Sequence, residues 1–212
     1  GSMFGPTQQV ILQCLDLNLP EVKENMRGIQ MELQDGNFPL LHSAVFATDD
    51  AAAFKGSDYA ILLGAFPRRE GQEKSAAMEK NVLIFRTMGQ AIQDYAKPSC
   101  KVLVVGNPAH TNALICAHYA PSVPKENFFA LTRLDQNRAA GQIAEHAKVP
   151  VSDITNIVIW GGHAKFPDVD HAFCRGLPLS QVMTVPSHLK PVDLNKMFHE
   201  KMAKRGADIL KA

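Results

Sequence analysis

Four short apolar runs punctuate the chain: residues 10–15 (VILQCL), 59–63 (YAILL), 102–105 (VLVV) and 157–160 (IVIW). They are β-branched or leucine-rich and mostly end at glycine or aspartate, as strands buried on both faces do. Helical stretches lie between them. Residues 73–96 form a long mixed segment, 111–119 a short one and 135–148 an amphipathic one, with Pro98, Pro108 and Pro150 near their ends. Strands alternating with helices predict an α/β fold with a doubly wound parallel sheet, whose ligands lie beyond the carboxyl ends of the strands. That edge would carry Asp16, residues 64–69, Gly106 and Asn107, and residues 161–163. After Trp160 the prolines at 167, 178, 186 and 191 break helical periodicity. A last amphipathic segment, 192–211, is expected to be helical, with Leu194, Met197, Phe198, Met202, Ile209 and Leu210 on its apolar side.

With 212 residues, 46% of them hydrophobic, the chain can bury one large core or two small ones. A net charge of +1 gives no electrostatic reason to expect nucleic acid or an anionic membrane as partner. Attraction for an anionic substrate must then come from locally placed charges. Cys14, Cys100, Cys116 and Cys174 form no C-x-x-C pair, so they read as small core residues in a reducing, cytoplasmic compartment, without disulfide or zinc. No apolar stretch approaches the roughly 18 residues that a membrane span requires.

Asp135 and Arg138 lie three apart, on one face of the 135–148 helix. His163 follows the run at 157–160 and two glycines. A histidine titrates near neutrality and suits proton transfer, and an arginine fork matches a carboxylate. Spacing alone leaves a blander alternative open, namely a solvent-exposed ion pair and a loop histidine.

The string NPAHTNALICAHYAPSVPKENFFALTRLDQNRAAGQIAEHAKVPVSDITNIVIWGGH at 107–163 closely resembles malate dehydrogenases of the cytosolic type, within the lactate/malate dehydrogenase superfamily. So do GIQMELQD at 28–35, FKGSDYAILLGAFPRREG at 54–71 and FPDVDHA at 166–172. The resemblance implies a Rossmann-like NAD-binding domain over residues 1–130, followed by the start of an α+β substrate domain over 131–212. It also implies NAD-dependent, reversible oxidation of malate to oxaloacetate in the cytoplasm, by a homodimer. His163 would be the general base and Asp135 its partner. Arg138 would clamp the substrate carboxylate, and Arg68 the second carboxylate that separates malate from lactate, since the wrong substrate would strand a buried charge. Asn107 would bond substrate and nicotinamide. Cofactor contacts would come from Asp16, at the adenosine ribose, and from Gly64, Asn81, Met88, Val105 and Gly106.

The chain departs from that pattern in four places. The family's first strand and its G-x-x-G-x-x-G turn, expected before Phe4, and its C-terminal region, expected after Ala212, are not in the sequence. The loop arginine that polarises the substrate carbonyl is Lys74, which keeps the charge and loses the fork. The stretch after His163 is two residues shorter and lacks hydroxyls. Met88 and His110 stand where glutamine and asparagine are expected. Lys74 and the altered loop favour, as an alternative, a relaxed or aromatic 2-hydroxy acid dehydrogenase. The missing turn favours a catalytically impaired paralogue retained for binding or dimerisation.

Overall fold

The computed structural model describes residues 3–66, 74–161, 167–182 and 209, apart from the side chains of 74–77. Strands and helices alternate at first: β1 (Val10–Leu15), α1 (Pro20–Asp35), β2 (Leu41–Ala47), α2 (Asp50–Phe54), β3 (Tyr59–Leu62), α3 (Lys74–Tyr95), β4 (Lys101–Val104), α4 (Ala109–Tyr119), β5 (Phe128–Ala130) and α5 (Arg133–Ala147). Five two-residue strands come next: β6 (Ile154–Thr155), β7 (Val158–Ile159), β8 (Pro167–Asp168), β9 (Phe173–Cys174) and β10 (Leu177–Pro178). The helix α6 (Leu179–Val182) follows them. The chain divides into two compact units, Gly1–Leu103 with Ala113–Phe129, and Val104–Asn112 with Ala130–Ala212.

In the first unit β1 and β2 pair in parallel, with Ile11 opposite Ser43 and Leu15 opposite Ala47. β3, β4 and β5 form a second sheet in that order. The apolar runs predicted one sheet. Among the described residues the hydrogen bonds form two in this unit, because an apolar run marks a strand without naming its neighbour. β2 and α1 were not anticipated. α1 starts at Pro20, whose missing N–H costs nothing in a first turn, and of its side chains only Met26 is buried. α2 starts after Asp49, whose carboxylate accepts the Ala52 N–H at 2.9 Å.

α3 and α4 approach each other at Gly89. A methyl group there would lie 2.7 Å from the Cys116 carbonyl oxygen and 2.8 Å from the Tyr119 Cβ. Gly89→Ala would gain about 1 kcal/mol of helix propensity, yet it forces two backbones apart at a cost of about 1–3 kcal/mol. The variant is expected to be less stable, with a lower urea midpoint; a raised midpoint would show that the helices have room to spare.

Asn81, Phe85, Met88 and Ile92 recur at helical spacing on α3, and all but Met88 are fully or almost fully buried. Cys100 and Cys116 are also completely buried, and burial, assisted by the Cys100 neighbour, pushes the Cys116 thiol up to about 12. All four cysteines are free, as core thiols should be, although Cys14 is only half-buried. No described helix is long and apolar enough to cross a membrane.

The second unit packs α5 over the small strands. Ala139, Ile143 and Ala144 meet Ile154, Ile157, Val169, Ala172, Cys174 and Leu179 in one core. The run at 157–160 was expected to join the parallel sheet. Instead β7 pairs antiparallel with β8, Val158 opposite Asp168 and Ile159 opposite Pro167. A two-residue strand returned by a short connection can satisfy its backbone only antiparallel, and periodicity over so few residues does not distinguish the two cases. β9 and β10 form a hairpin through Arg175 and Gly176, at φ +52° and +78°, the paired positive values that a two-residue turn demands. Of the expected 192–211 helix, only Ile209, in a helical conformation, lies among the described residues.

Candidate active site

Asp135 and Arg138 lie in the first two turns of α5. The residues four and eight positions after Asp135, Ala139 and Ile143, form the buried stripe of the helix, and Asp135 continues that stripe toward the N-terminus. It is therefore buried, at 1% exposure, and the reading of a solvent-exposed pair is excluded. Two effects let a carboxylate sit there. The helix N-terminus carries partial positive charge, and the Arg138 guanidinium lies 3.7 Å from Asp135 Oδ1. Arg138 itself keeps 21% of its side chain exposed, and a guanidinium fork is a group suited to an anionic ligand.

α5 is tied to the strand that leads toward His163. The Gln136 side-chain amide donates to the Ile157 carbonyl at 2.7 Å, and Arg133 donates to Gln136 Oε1 at 3.0 Å. His163 itself lies outside the described residues, as does Arg68. Lys74 opens α3, and its side chain is likewise outside the description.

The segment after β4 belongs to the same unit as α5. Val105 is half-buried, Gly106 buried and Asn107 exposed. Asn112, buried at 1% exposure, donates to the Gly106 carbonyl at 2.9 Å, and Leu131 N–H donates to the Val104 carbonyl at 2.9 Å. Sequence reasoning missed Asn112. The available signal was an asparagine inside an otherwise apolar helix (AHTNALICAHY), which needs a backbone partner when buried.

The first unit holds the other expected cofactor residues. Asp16 is exposed at the end of β1, and its Oδ1 accepts the Leu17 N–H at 2.8 Å. Gly64 is exposed just past β3, with open space where a Cβ would stand. Asn81 faces inward instead: its Oδ1 accepts the Phe66 N–H at 2.8 Å, and its amide reaches the Phe66 carbonyl at 3.4 Å. It thereby braces the chain just ahead of Arg68. Met88 is half-buried on the same stripe. No group of three His, Cys, Asp or Glu residues that could hold a metal occurs among the described residues.

Comparison with known proteins accounts for this arrangement. Residues 7–129 match the lactate/malate dehydrogenase NAD-binding domain, and residues 132–212 match the α/β C-terminal domain of the same family. The chain belongs to the lactate/malate dehydrogenase family. Malate dehydrogenase of Nicotiana tabacum is 45% identical over 222 aligned positions, covering 100% of this chain and 64% of that protein. Malate dehydrogenase of Naegleria fowleri superposes with a TM-score of 0.85 at 36% identity, over 98% of this chain and 62% of its own. Lactate dehydrogenase of Trichomonas vaginalis, solved with NADH and oxamate, superposes with a TM-score of 0.83 at 36% identity, over 97% and 61%. The fold is thus the Rossmann-type α/β fold of that family, and the chain spans 64% of the length of the tobacco relative.

Proposed function

We propose that this chain carries the NAD-binding and substrate residues of a cytoplasmic, homodimeric, NAD-dependent malate dehydrogenase. The observation that carries the reading is the buried Asp135 beside the half-buried Arg138, in a chain that matches both domains of the family. Residues 1–130 would hold the cofactor, and residues 131–212 would contribute the groups that act on substrate.

The residues present suit that cofactor. An exposed carboxylate at the end of β1, Asp16, can accept both hydroxyls of a ribose and would repel a ribose phosphate, and the open space beside Gly64 lets a ligand approach the backbone. Val105, Gly106 and Asn107 offer backbone and amide groups at a strand end, with the Gly106 carbonyl fixed by Asn112. When bound, NAD supplies the acceptor for the hydride that leaves the alcohol carbon.

The protein's own groups do the rest. His163 would take the hydroxyl proton of malate. Asp135 would favour the imidazolium so formed, which a buried carboxylate does well because water does not screen it. Arg138 would hold the C1 carboxylate by its two parallel N–H donors, while Arg68 takes the distal one. Lys74 would place a positive charge near the developing carbonyl, and Asn107 would hydrogen-bond the substrate.

The test is NADH oxidation by the full-length protein with oxaloacetate, and with pyruvate and phenylpyruvate at equal concentration. Oxaloacetate should have the highest kcat/KM, by two orders of magnitude or more, on the order of what an unpaired buried charge enforces. No oxidation with oxaloacetate would overturn the reading. A preference for phenylpyruvate would favour the relaxed 2-hydroxy acid dehydrogenase that Lys74 suggests.

A further inference from the structure

The segment that follows β4 is held by its carbonyls. Leu131 N–H donates to the Val104 carbonyl at 2.9 Å. Asn112 then supplies two bonds of its own. Its side-chain amide donates to the Gly106 carbonyl at 2.9 Å, and its backbone N–H donates to the Pro108 carbonyl at 3.0 Å. Those two carbonyls flank Asn107, whose own side chain is exposed. Asn112 stands in the first turn of α4 at 1% exposure, so its bonds are shielded from competing water. The backbone bond is an ordinary helical one, which any residue but proline would make. Only the side-chain bond is specific to asparagine.

Stability does not explain an asparagine here. Its Oδ1 is buried and finds no hydrogen-bond partner among the described residues, a loss comparable with what the amide bond to Gly106 gains. Leucine has the same branched outline and would bury no orphaned side-chain acceptor, although the Gly106 carbonyl would lose its donor. Exchanging one unpaired acceptor for another is close to neutral for folding. What leucine would not restore is the fixed plane of the peptide that joins Gly106 to Asn107.

We propose that Asn112 is a positioning residue for ligand binding: by pinning the Gly106 carbonyl, it fixes the peptide from which Asn107 presents its exposed side chain. This rests on the malate dehydrogenase reading, in which Asn107 bonds substrate and nicotinamide. Asn112 itself is buried, so it acts through Asn107 rather than on the ligand. The Asn107 amide needs one orientation, because its oxygen only accepts and its nitrogen only donates. A peptide free to rock would tilt that side chain, and ordering it would then weaken binding.

Asn112→Leu in the full-length protein is the first test. The Kd for NADH, measured by calorimetry, should rise about tenfold, the upper range for one neutral hydrogen bond. The KM for oxaloacetate should rise similarly, while kcat per NADH-binding site changes less than about threefold. The melting temperature should stay within a few degrees of wild type. A purely structural role predicts the reverse: a lowered melting temperature and fewer sites, with wild-type Kd and KM in those that remain. Asn112→Ser guards against a leucine variant that fails to fold. Its hydroxyl can bond back to the Pro108 carbonyl but is shorter than the amide that reaches Gly106, so binding should weaken in the same way.

The decisive measurement is a cycle with Asn107→Ala. Adding Asn112→Leu to Asn107→Ala should leave the Kd for NADH where Asn107→Ala alone puts it. A further tenfold loss in the double variant, or an unchanged Kd in both single Asn112 variants, overturns the proposal. Failure of the dehydrogenase reading looks different. Wild type that binds NADH without oxidising it in the presence of oxaloacetate removes that reading, while the NADH cycle still decides the role of Asn112. Wild type that binds no NADH overturns both.

Discussion

Asp135→Asn is expected to lower turnover of oxaloacetate by about a thousandfold to ten-thousandfold in a chain that still folds. Asparagine has nearly the shape of aspartate, so the buried stripe of α5 through Ala139 and Ile143 can close around it. What is lost is the negative charge, in a place where only 1% of the residue meets solvent and little screening is available. An imidazolium forming at His163 would lose its counter-charge, and the amide would favour the wrong tautomer of the neutral ring. The Arg138 guanidinium, 3.7 Å away, would also lose an ionic neighbour, so substrate affinity should fall less than kcat does, because the guanidinium keeps its own charge. Steady-state kinetics with far-ultraviolet circular dichroism on the same samples makes the check. A folded variant retaining a tenth of wild-type kcat would remove Asp135 from the catalytic group.

Phe85→Ala should be the most damaging single truncation in the first unit, at about 3–5 kcal/mol. Among the described residues Phe85 heads the largest fully buried side chains, and it has no exposed surface. It stands on α3 between Asn81 and Met88, on the stripe that carries Asn81 to the Phe66 backbone. Deleting the ring costs both its transfer free energy and the cavity it leaves, since neighbouring helices in a well-packed core relax only partly. Thermal unfolding should shift down by roughly 10 °C or more for a protein of this size. A shift of a degree or two would mean that the site collapses without penalty. Gly89→Ala tests the opposite fault on the same helix, overfilling rather than underfilling, and should cost less.

Much of the architecture was legible from apolar runs alone. Residues 10–15 form β1 without adjustment, and α3, α4 and α5 differ from their expected limits by one or two residues. β2 escaped because LHSAVFA mixes polar and apolar positions, and its burial is correspondingly partial. α1 escaped although PEVKENMRGIQMELQD carries Val22, Met26, Ile29 and Leu33 at helical spacing; of these only Met26 is buried, so the stripe is not the signature of a core helix. The run at 157–160 was visible as a strand, but its partner was not, because pairing depends on where the following chain returns.

The site divides in the same way. The i, i+3 spacing of Asp135 and Arg138 is common to exposed and buried pairs, so only the packed stripe of α5 could tell them apart. Asn112 and Gln136 act on backbone carbonyls, whose positions a side-chain pattern does not encode.

The bond from Gln136 to the Ile157 carbonyl has a mechanical consequence. Arg138 would grip substrate from α5, whereas His163 follows the strand that Ile157 introduces. A helix and a strand pinned together at that carbonyl move as one piece, so the strand that leads toward His163 is set against α5 when the chain folds, before any ligand arrives. The placement of that strand against α5 is thereby inherited from the scaffold rather than assembled anew each time a ligand binds.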